Sequence, residues 1–248
     1  MTYNIRNSRA NDGVNKWESR RERLVALIRK VNPDVLGTQE VLLDQLKYLN
    51  KSLNDYTSFG VGRNNGKHAG EHSAIFYRTA KYEFLTGGNF WLSETPAIAG
   101  SKSWDAAITR ICSWVKLKEK QTGEEFLVFN THFDHKGKTA RRKSAELLMN
   151  MIDSLAKELP VIVTGDFNFT PTDIAYNTLT SSGKLTDSFV PANTNETACG
   201  FSVANTKCSR IDYIFYSSPY TANAYTIHTD NNGIYYPSDH LAVSVVLY

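Results

Sequence analysis

The chain is poor in cysteine, proline and methionine, with three, seven and three among its 248 residues. Cys112, Cys199 and Cys208 do not make a disulfide framework, and their spacing matches no zinc site. The odd count leaves open one pairing, Cys199 with Cys208 across a loop. No apolar run approaches the length that crosses a bilayer, so no membrane span is expected. Neither sign of charge dominates. With 28 basic against 25 acidic residues the formal net charge is +3, too balanced for bulk electrostatic capture of nucleic acid, although a local basic patch stays open. Fixed-period repeats, low-complexity tracts, linkers and a visible signal peptide are all missing. The chain opens directly into Thr2-Tyr3-Asn4-Ile5-Arg6, which reads as a strand already under way. A targeting segment removed before Met1, and hence export, stays open, and no compartment is assigned.

What is present is a hydrophobic content of 41% with 12% aromatic residues, enough for one sizeable folded domain spanning residues 1–248. The stretch Pro160 to Pro171 organises the rest. Val161, Ile162 and Val163 form the apolar, β-branched run expected of a strand buried on both faces, stopping at Gly165. It delivers Asp166 and Asn168 to the strand's C-terminal edge, where open α/β sheets place ligands. Two residues apart on an extended chain, they project to one side. Taken alone, the same residues also read as an ordinary turn.

Around this stretch lie helices and further strands. Leu24, Leu27, Ile28 and Val31 mark a helix ended by Asn32-Pro33, Leu42 to Leu53 a second, and Ala140 to Leu155 a third. The third joins the strand Phe126 to Phe129 to the strand at 161, a β-α-β step. Residues 56–118 are strand-rich and carry two long loops, Gly62 to His72 and Ser93 to Thr109. The first holds Arg63, Lys67, His68 and His72; it either receives an anion or is a solvated loop. Trp91 and Trp104 either stack on a base or sugar or anchor loops. Strands at 211–216, 222–228 and 241–247 close the chain. Beta-α-β steps mixed with antiparallel runs predict two packed sheets with helices outside.

Chemistry gathers at strand ends and starts: Gln39-Glu40, Asn130-Thr131-His132 and Gly165-Asp166-Phe167-Asn168 follow strong strands, Arg210-Ile211-Asp212-Tyr213 opens one, and Ser238-Asp239-His240 immediately precedes the last. If they meet, one cleft holds Asn4, Glu40, Asp166, Asn168, Asp212, Asp239, His132 and His240. Carboxylate and amide oxygens without a thiolate suit a hard cation such as Mg²⁺ or Mn²⁺.

These motifs, with Thr2-Tyr3-Asn4 and in this order, resemble the endonuclease/exonuclease/phosphatase superfamily of DNase I-like hydrolases. The Ile211-to-Ser217 and Pro237-to-Leu241 stretches look nearest to its branch of nocturnin-like deadenylases. The resemblance implies an α/β four-layered sandwich and a divalent-metal-dependent phosphoesterase acting by in-line attack of water. In that reading Glu40 holds the metal, with Asn4 beside it. Asp166 deprotonates the water, Asn168 holds the water or a phosphate oxygen, and His132 and His240 donate to the phosphoryl oxygens. Asp212 fixes the tautomer of His240, and Asp239 shares that work or touches a second metal. Arg110 and His135 are candidate substrate contacts. The substrate is a phosphodiester, with single-stranded nucleic acid as a candidate partner, or a phosphomonoester of a small sugar, nucleotide or inositol. A monomer is expected. A non-catalytic binding module with an inherited cleft is the reading from another class, and metal titration separates it from an enzyme.

Overall fold

The computed structural model describes residues 1–190 and 196–248. Its two six-stranded sheets divide the strands between them. The first holds β1 (Thr2–Asn4), β2 (Val35–Val41), β3 (Tyr56–Phe59), β4 (His72–Arg78), β11 (Ala222–His228) and β12 (Ala242–Leu247), in the order β11-β12-β1-β2-β4-β3. The second holds β5 (Tyr82–Trp91), β6 (Ile111–Glu119), β7 (Glu125–His132), β8 (Val161–Asp166), β9 (Thr186–Asp187) and β10 (Asp212–Tyr216), in the order β5-β6-β7-β8-β10-β9. Both are mixed: β1–β2 and β7–β8 run parallel and the other pairs antiparallel.

Helices cover the outer faces. On α1 (Trp17–Val31) the buried residues Leu24, Leu27 and Ile28 recur at helical spacing and pack on Tyr3, Leu36 and Phe76. Asn32, left-handed at φ 56°, ends this helix ahead of Pro33. The second helix, α2 (Leu43–Ser52), joins the same layer through Leu49. On the other side α3 (Lys138–Ala156) and α4 (Ile174–Thr180) lay Ala145, Leu148, Ile152, Ala175 and Leu179 against Phe129, Val163 and Phe215. Between the sheets sit Ile75, Tyr77, Val115, Leu117, Phe126 and Val128. Helix, sheet, sheet, helix is the four-layered sandwich that the resemblance implies.

Near the site this apolar filling becomes polar. Asn130 Nδ2 of β7 donates to the carbonyls of Thr38 (2.9 Å) and Ala74 (3.0 Å) in the opposite sheet. Its Oδ1 accepts from Gln39 Nε2 (2.7 Å) and Thr164 Oγ1 (3.0 Å). The sheets approach so closely here that a Cβ on Gly37 would lie 2.1 Å from Thr164 Oγ1. A satisfied buried network fixes one register between the sheets better than sliding apolar contacts do.

Three local readings need correction. Strand β8 does not stop at Gly165 but continues through Asp166, which pairs with His132 and Asp212 on its two neighbours. The chain is not extended beyond it: Asn168 is left-handed at φ 52°, so Asp166 and Asn168 do not project as alternate residues of one strand. The Asn168 N–H instead donates to Asp166 Oδ1 (3.0 Å), a local turn closed by the side chain. Strands β3 and β9 and helix α4 were not anticipated; each is short, and short elements carry little periodic signal.

Candidate active site

Strand register builds the site. In the second sheet, His132 of β7, Asp166 of β8 and Asp212 of β10 are direct cross-strand partners, which puts three ionisable side chains in a row. In the first sheet, Asn4 pairs with Gln39, and the next residue, Glu40, lies in a register shift of β2 with φ 62°. A bulge of this kind re-aims a side chain that regular alternation would send elsewhere. The rims of the two sheets meet where Asn4 Nδ2 donates both to Glu40 Oε1 (3.2 Å) and to Asp166 Oδ2 (2.9 Å).

Around this bridge His240 Nδ1–H donates to Asp212 Oδ2 (2.8 Å), turning Nε2 toward Asp166 Oδ2 at 3.8 Å. His132 Nε2 lies 3.4 Å from the same oxygen. Asp212 is itself held by Thr197 Oγ1 (2.6 Å). Asn168 Nδ2 donates to the carbonyl of Phe133 (3.0 Å), which ties the loop after β8 to the loop after β7. Phe167 and Phe169, on either side of Asn168, anchor that loop among Phe133, Tyr213 and Phe215. Asp239 stands at the edge, 3.6 Å from Arg6 Nε, with its carbonyl receiving the N–H groups of Cys199 and Gly200. Cys199 is disulfide-bonded to Cys208, the pairing left open by the sequence, and Cys112 is a buried free thiol.

Burial and neighbouring charge drive the titrating groups apart. Burial, reinforced by the Asp212 carboxylate, pushes Asp166 up to about 7. Burial alone would deprotonate His240, but the Asp212 and Asp166 carboxylates outweigh it and hold the imidazole well above its ordinary value. For His132, burial and the nearby Arg110 charge act together and keep the ring neutral at physiological pH. Burial works against ionisation of Glu40, yet His240, the Asn7 N–H and Asn4 prevail and lower its pKa. One carboxylate is therefore held ionised, one is poised near neutrality, and one imidazole is held as the cation. Such divergence is what acid and base roles require.

The donor chemistry fits a hard cation. Glu40 presents an ionised carboxylate, and Asp166, Asp212 and Asp239 stand nearby as further oxygen donors. Asp166, Asp212 and His240 have one ligand atom each within 4.8 Å of one another. The Nδ1 of His240 and Oδ2 of Asp212 are already committed to each other, so the oxygen-rich Glu40 end suits the ion better.

Several residues near the site carried no readable signal. Asn7, in a loop read only as polar, gives Glu40 Oε2 both its backbone N–H (3.1 Å) and its side-chain amide (3.0 Å). Thr197 lies far in sequence from the aspartate it holds. Arg20, on α1, is a third such residue. It is 0% exposed and its guanidinium donates to the carbonyls of Ile5 (2.6 Å), Arg6 (2.7 Å), Asn15 (2.9 Å) and Pro237 (3.1 Å), clamping the Asn4 loop to the His240 loop. Arg110 is buried and its Nη2 is 3.1 Å from Nδ1 of the exposed His135. In the loop 62–72, Arg63 turns inward to pair with Glu71, and His72 Nδ1 meets the carbonyl of Val41 (2.9 Å). Trp91 is a loop anchor, its Nε1–H donating to the Arg63 carbonyl (2.5 Å), and Trp104 is half-buried in the loop 93–109.

Residues 1–240 match the model of the Endonuclease/Exonuclease/phosphatase family. The chain belongs to this family. A member from Bacteroides thetaiotaomicron, described as a mannosyl-6-phosphatase, is 41% identical, with TM-score 0.93 over 100% of this chain and 98% of that one. An endonuclease/exonuclease/phosphatase from Bacteroides vulgatus is 37% identical, with TM-score 0.94 over 100% and 97%. Nocturnin of Rattus norvegicus is 26% identical over 92% of this chain, which spans 58% of Nocturnin's length. Family membership makes the chain a phosphoester hydrolase. Among the described residues no helix is long and apolar enough to cross a membrane.

Proposed function

We propose that the protein hydrolyses a phosphate ester by in-line attack of water and that it depends on a divalent cation, Mg²⁺ or Mn²⁺. The observation that carries the reading is the row His132–Asp166–Asp212 with His240 bonded to Asp212. Asp166, with its pKa near 7, is the group able to take a proton from water at neutral pH. Asn4 holds one of its oxygens and the Asn168 N–H the other, which fixes the direction of the lone pair offered to the water. Asp212 keeps Nδ1 of His240 protonated, so that Nε2–H is presented to a phosphoryl oxygen as negative charge grows there. His132, neutral beside them, adds a donor without adding charge. Glu40 would hold the cation, aided by Asn4 and Asn7, which keep its carboxylate oriented. When bound, the cation polarises the phosphoryl group and offsets charge on the leaving oxygen.

For the substrate, the 41% identity to the B. thetaiotaomicron mannosyl-6-phosphatase along the whole chain supports a small sugar phosphate over nucleic acid. The near-balanced charge points the same way. The test is a panel of sugar phosphates, a simple phosphodiester, single-stranded RNA and DNA, each with Mg²⁺, Mn²⁺ or chelator. Turnover should need the cation and be fastest on a sugar phosphate. In Asp166→Asn, with an unchanged circular dichroism spectrum, it should fall by at least about 10²-fold. Wild-type rates in that variant would remove the mechanism, and steep salt-sensitive cleavage of single strands would move the substrate to nucleic acid.

A further inference from the structure

The chain has four tryptophans, and three of them have a structural task. Trp17 lies under the Arg20 guanidinium and edge-on to Tyr48, Trp114 packs on Phe129, and Trp91 holds the Arg63 carbonyl. Trp104 is half-buried and outside the apolar cores, and among the described residues it meets no other ring, no cation and no hydrogen-bond partner for its indole N–H. Its backbone is left-handed at φ 57°, which a bulky residue adopts only where its surroundings hold it there. Those surroundings grip the turn on both flanks. The Ala106 N–H closes it onto the Ser103 carbonyl (3.3 Å). The Asp105 carboxylate takes the N–H groups of Thr139 (3.2 Å) and Ala140 (2.6 Å) in the first turn of α3, and a Cβ on Gly137 would come within 2.6 Å of the Asp105 carbonyl. On the other flank the N–H groups of Ala107 and Ile108 donate to Asp134 Oδ2 (3.1 and 3.3 Å). Asp134 stands two residues beyond His132, at the end of the sheet where Cys112 of β6 faces Thr131 of β7. The turn is thus fastened to the segment that leads out of the row His132–Asp166–Asp212.

We propose that Trp104 is the platform on which the sugar of the substrate stacks, and so a determinant of which phosphate esters the protein accepts. The inference rests on the sugar-phosphate reading above and adds to it the residue that reads the sugar. A pyranose has an apolar face of C–H groups and a rim of hydroxyls. An indole offers the matching surface, a flat apolar body with one N–H at its edge. Because the turn is locked at both flanks, the ring receives the sugar without having to be ordered by it. A polar group for the hydroxyl rim stands on the neighbouring segment: His135 Nδ1 accepts from Arg110 Nη2 (3.1 Å), which leaves Nε2–H on an exposed ring.

The experiment removes the ring while keeping the turn. Glycine takes a left-handed backbone without strain, so Trp104→Gly is the variant, beside Trp104→Phe, which keeps a platform. With Mg²⁺ present, phosphate release from a hexose 6-phosphate is compared with release from ethyl phosphate, which has no ring to stack. In Trp104→Gly the ratio of kcat/KM on the hexose 6-phosphate to that on ethyl phosphate should fall about tenfold, through a higher KM for the hexose ester at little-changed kcat. Trp104→Phe should recover most of the ratio. Calorimetry of the hexose 6-phosphate on Asp166→Asn protein, with and without Trp104→Gly, reads the same loss as weaker binding without turnover; Trp104→Met replaces the glycine variant if that one fails to fold. An unchanged ratio, or a phenylalanine variant as poor as the glycine one, would overturn the proposal. If wild type hydrolyses no ester yet binding of the hexose 6-phosphate weakens once the ring is gone, the platform stands and the hydrolase reading fails.

Discussion

Arg20→Met tests whether a buried clamp, rather than the sheets alone, holds the two site loops together. The guanidinium donates to four backbone carbonyls and is sandwiched between Trp17 and Phe201, at 5.2 and 5.4 Å from their ring centres. The Arg6 carbonyl keeps a second donor, Gln45 Nε2 at 2.8 Å. Those of Ile5, Asn15 and Pro237 have no other side-chain donor among the described residues. Orphaning three buried acceptors costs about 1–3 kcal/mol each, or roughly 3–9 kcal/mol together. Removing a charge from the interior returns several kcal/mol, and methionine refills much of the space. The net loss should be roughly 3 kcal/mol, the low end of that range. With a urea slope of about 3 kcal/mol/M for a chain of this size, the midpoint should fall by about 1 M. The assay is equilibrium urea unfolding followed by fluorescence and circular dichroism, with slopes compared between variant and wild type. A midpoint shift below about 0.3 M at unchanged slope would refute the reasoning, since the carbonyls would then have found water or other donors.

Three other outcomes follow from the same contacts. In Asp212→Asn the carboxylate that offsets burial at His240 is lost, so kcat should fall about 10³–10⁴-fold and the alkaline limb of the pH–rate profile should move to lower pH; an unmoved limb would count against the pair. Asp166 titrates near 7 in the fold against about 3.9 when unfolded, so its stabilising, protonated form is complete below about pH 4 and its contribution is lost as pH rises through about 7. Added Mg²⁺ should accordingly raise the Tm of chelator-treated protein more at about pH 8, where Asp166 beside the Glu40 end is ionised, than at about pH 5.5, where it is protonated; a pH-independent rise would mean that the ion does not feel the Asp166 charge. Gly37→Ala would put a Cβ 2.6 Å from Asn130 Oδ1 and 2.1 Å from Thr164 Oγ1, and urea unfolding should register a loss of at least about 2 kcal/mol; a smaller loss would mean that the polar layer between the sheets is soft.

What the sequence determined by itself is the set of parts: apolar strands that end in acid, amide or imidazole, helices with one apolar face, and an oxygen-rich donor set without thiolates. The period of side chains along a strand or helix is local, so β7, β8, α1 and α3 were legible from their own residues. Family resemblance added the order of the motifs and the layered architecture. Contacts between distant segments were decided only in three dimensions. Register across β7, β8 and β10 made neighbours of His132, Asp166 and Asp212, and the bulge at Glu40 turned its carboxylate to Asn7, although no residue in that loop announces a partner. Arg20 and Thr197 belong to the same class. A buried charge looks like any surface charge in one dimension, because burial is a property of what folds over a residue and not of the residue itself.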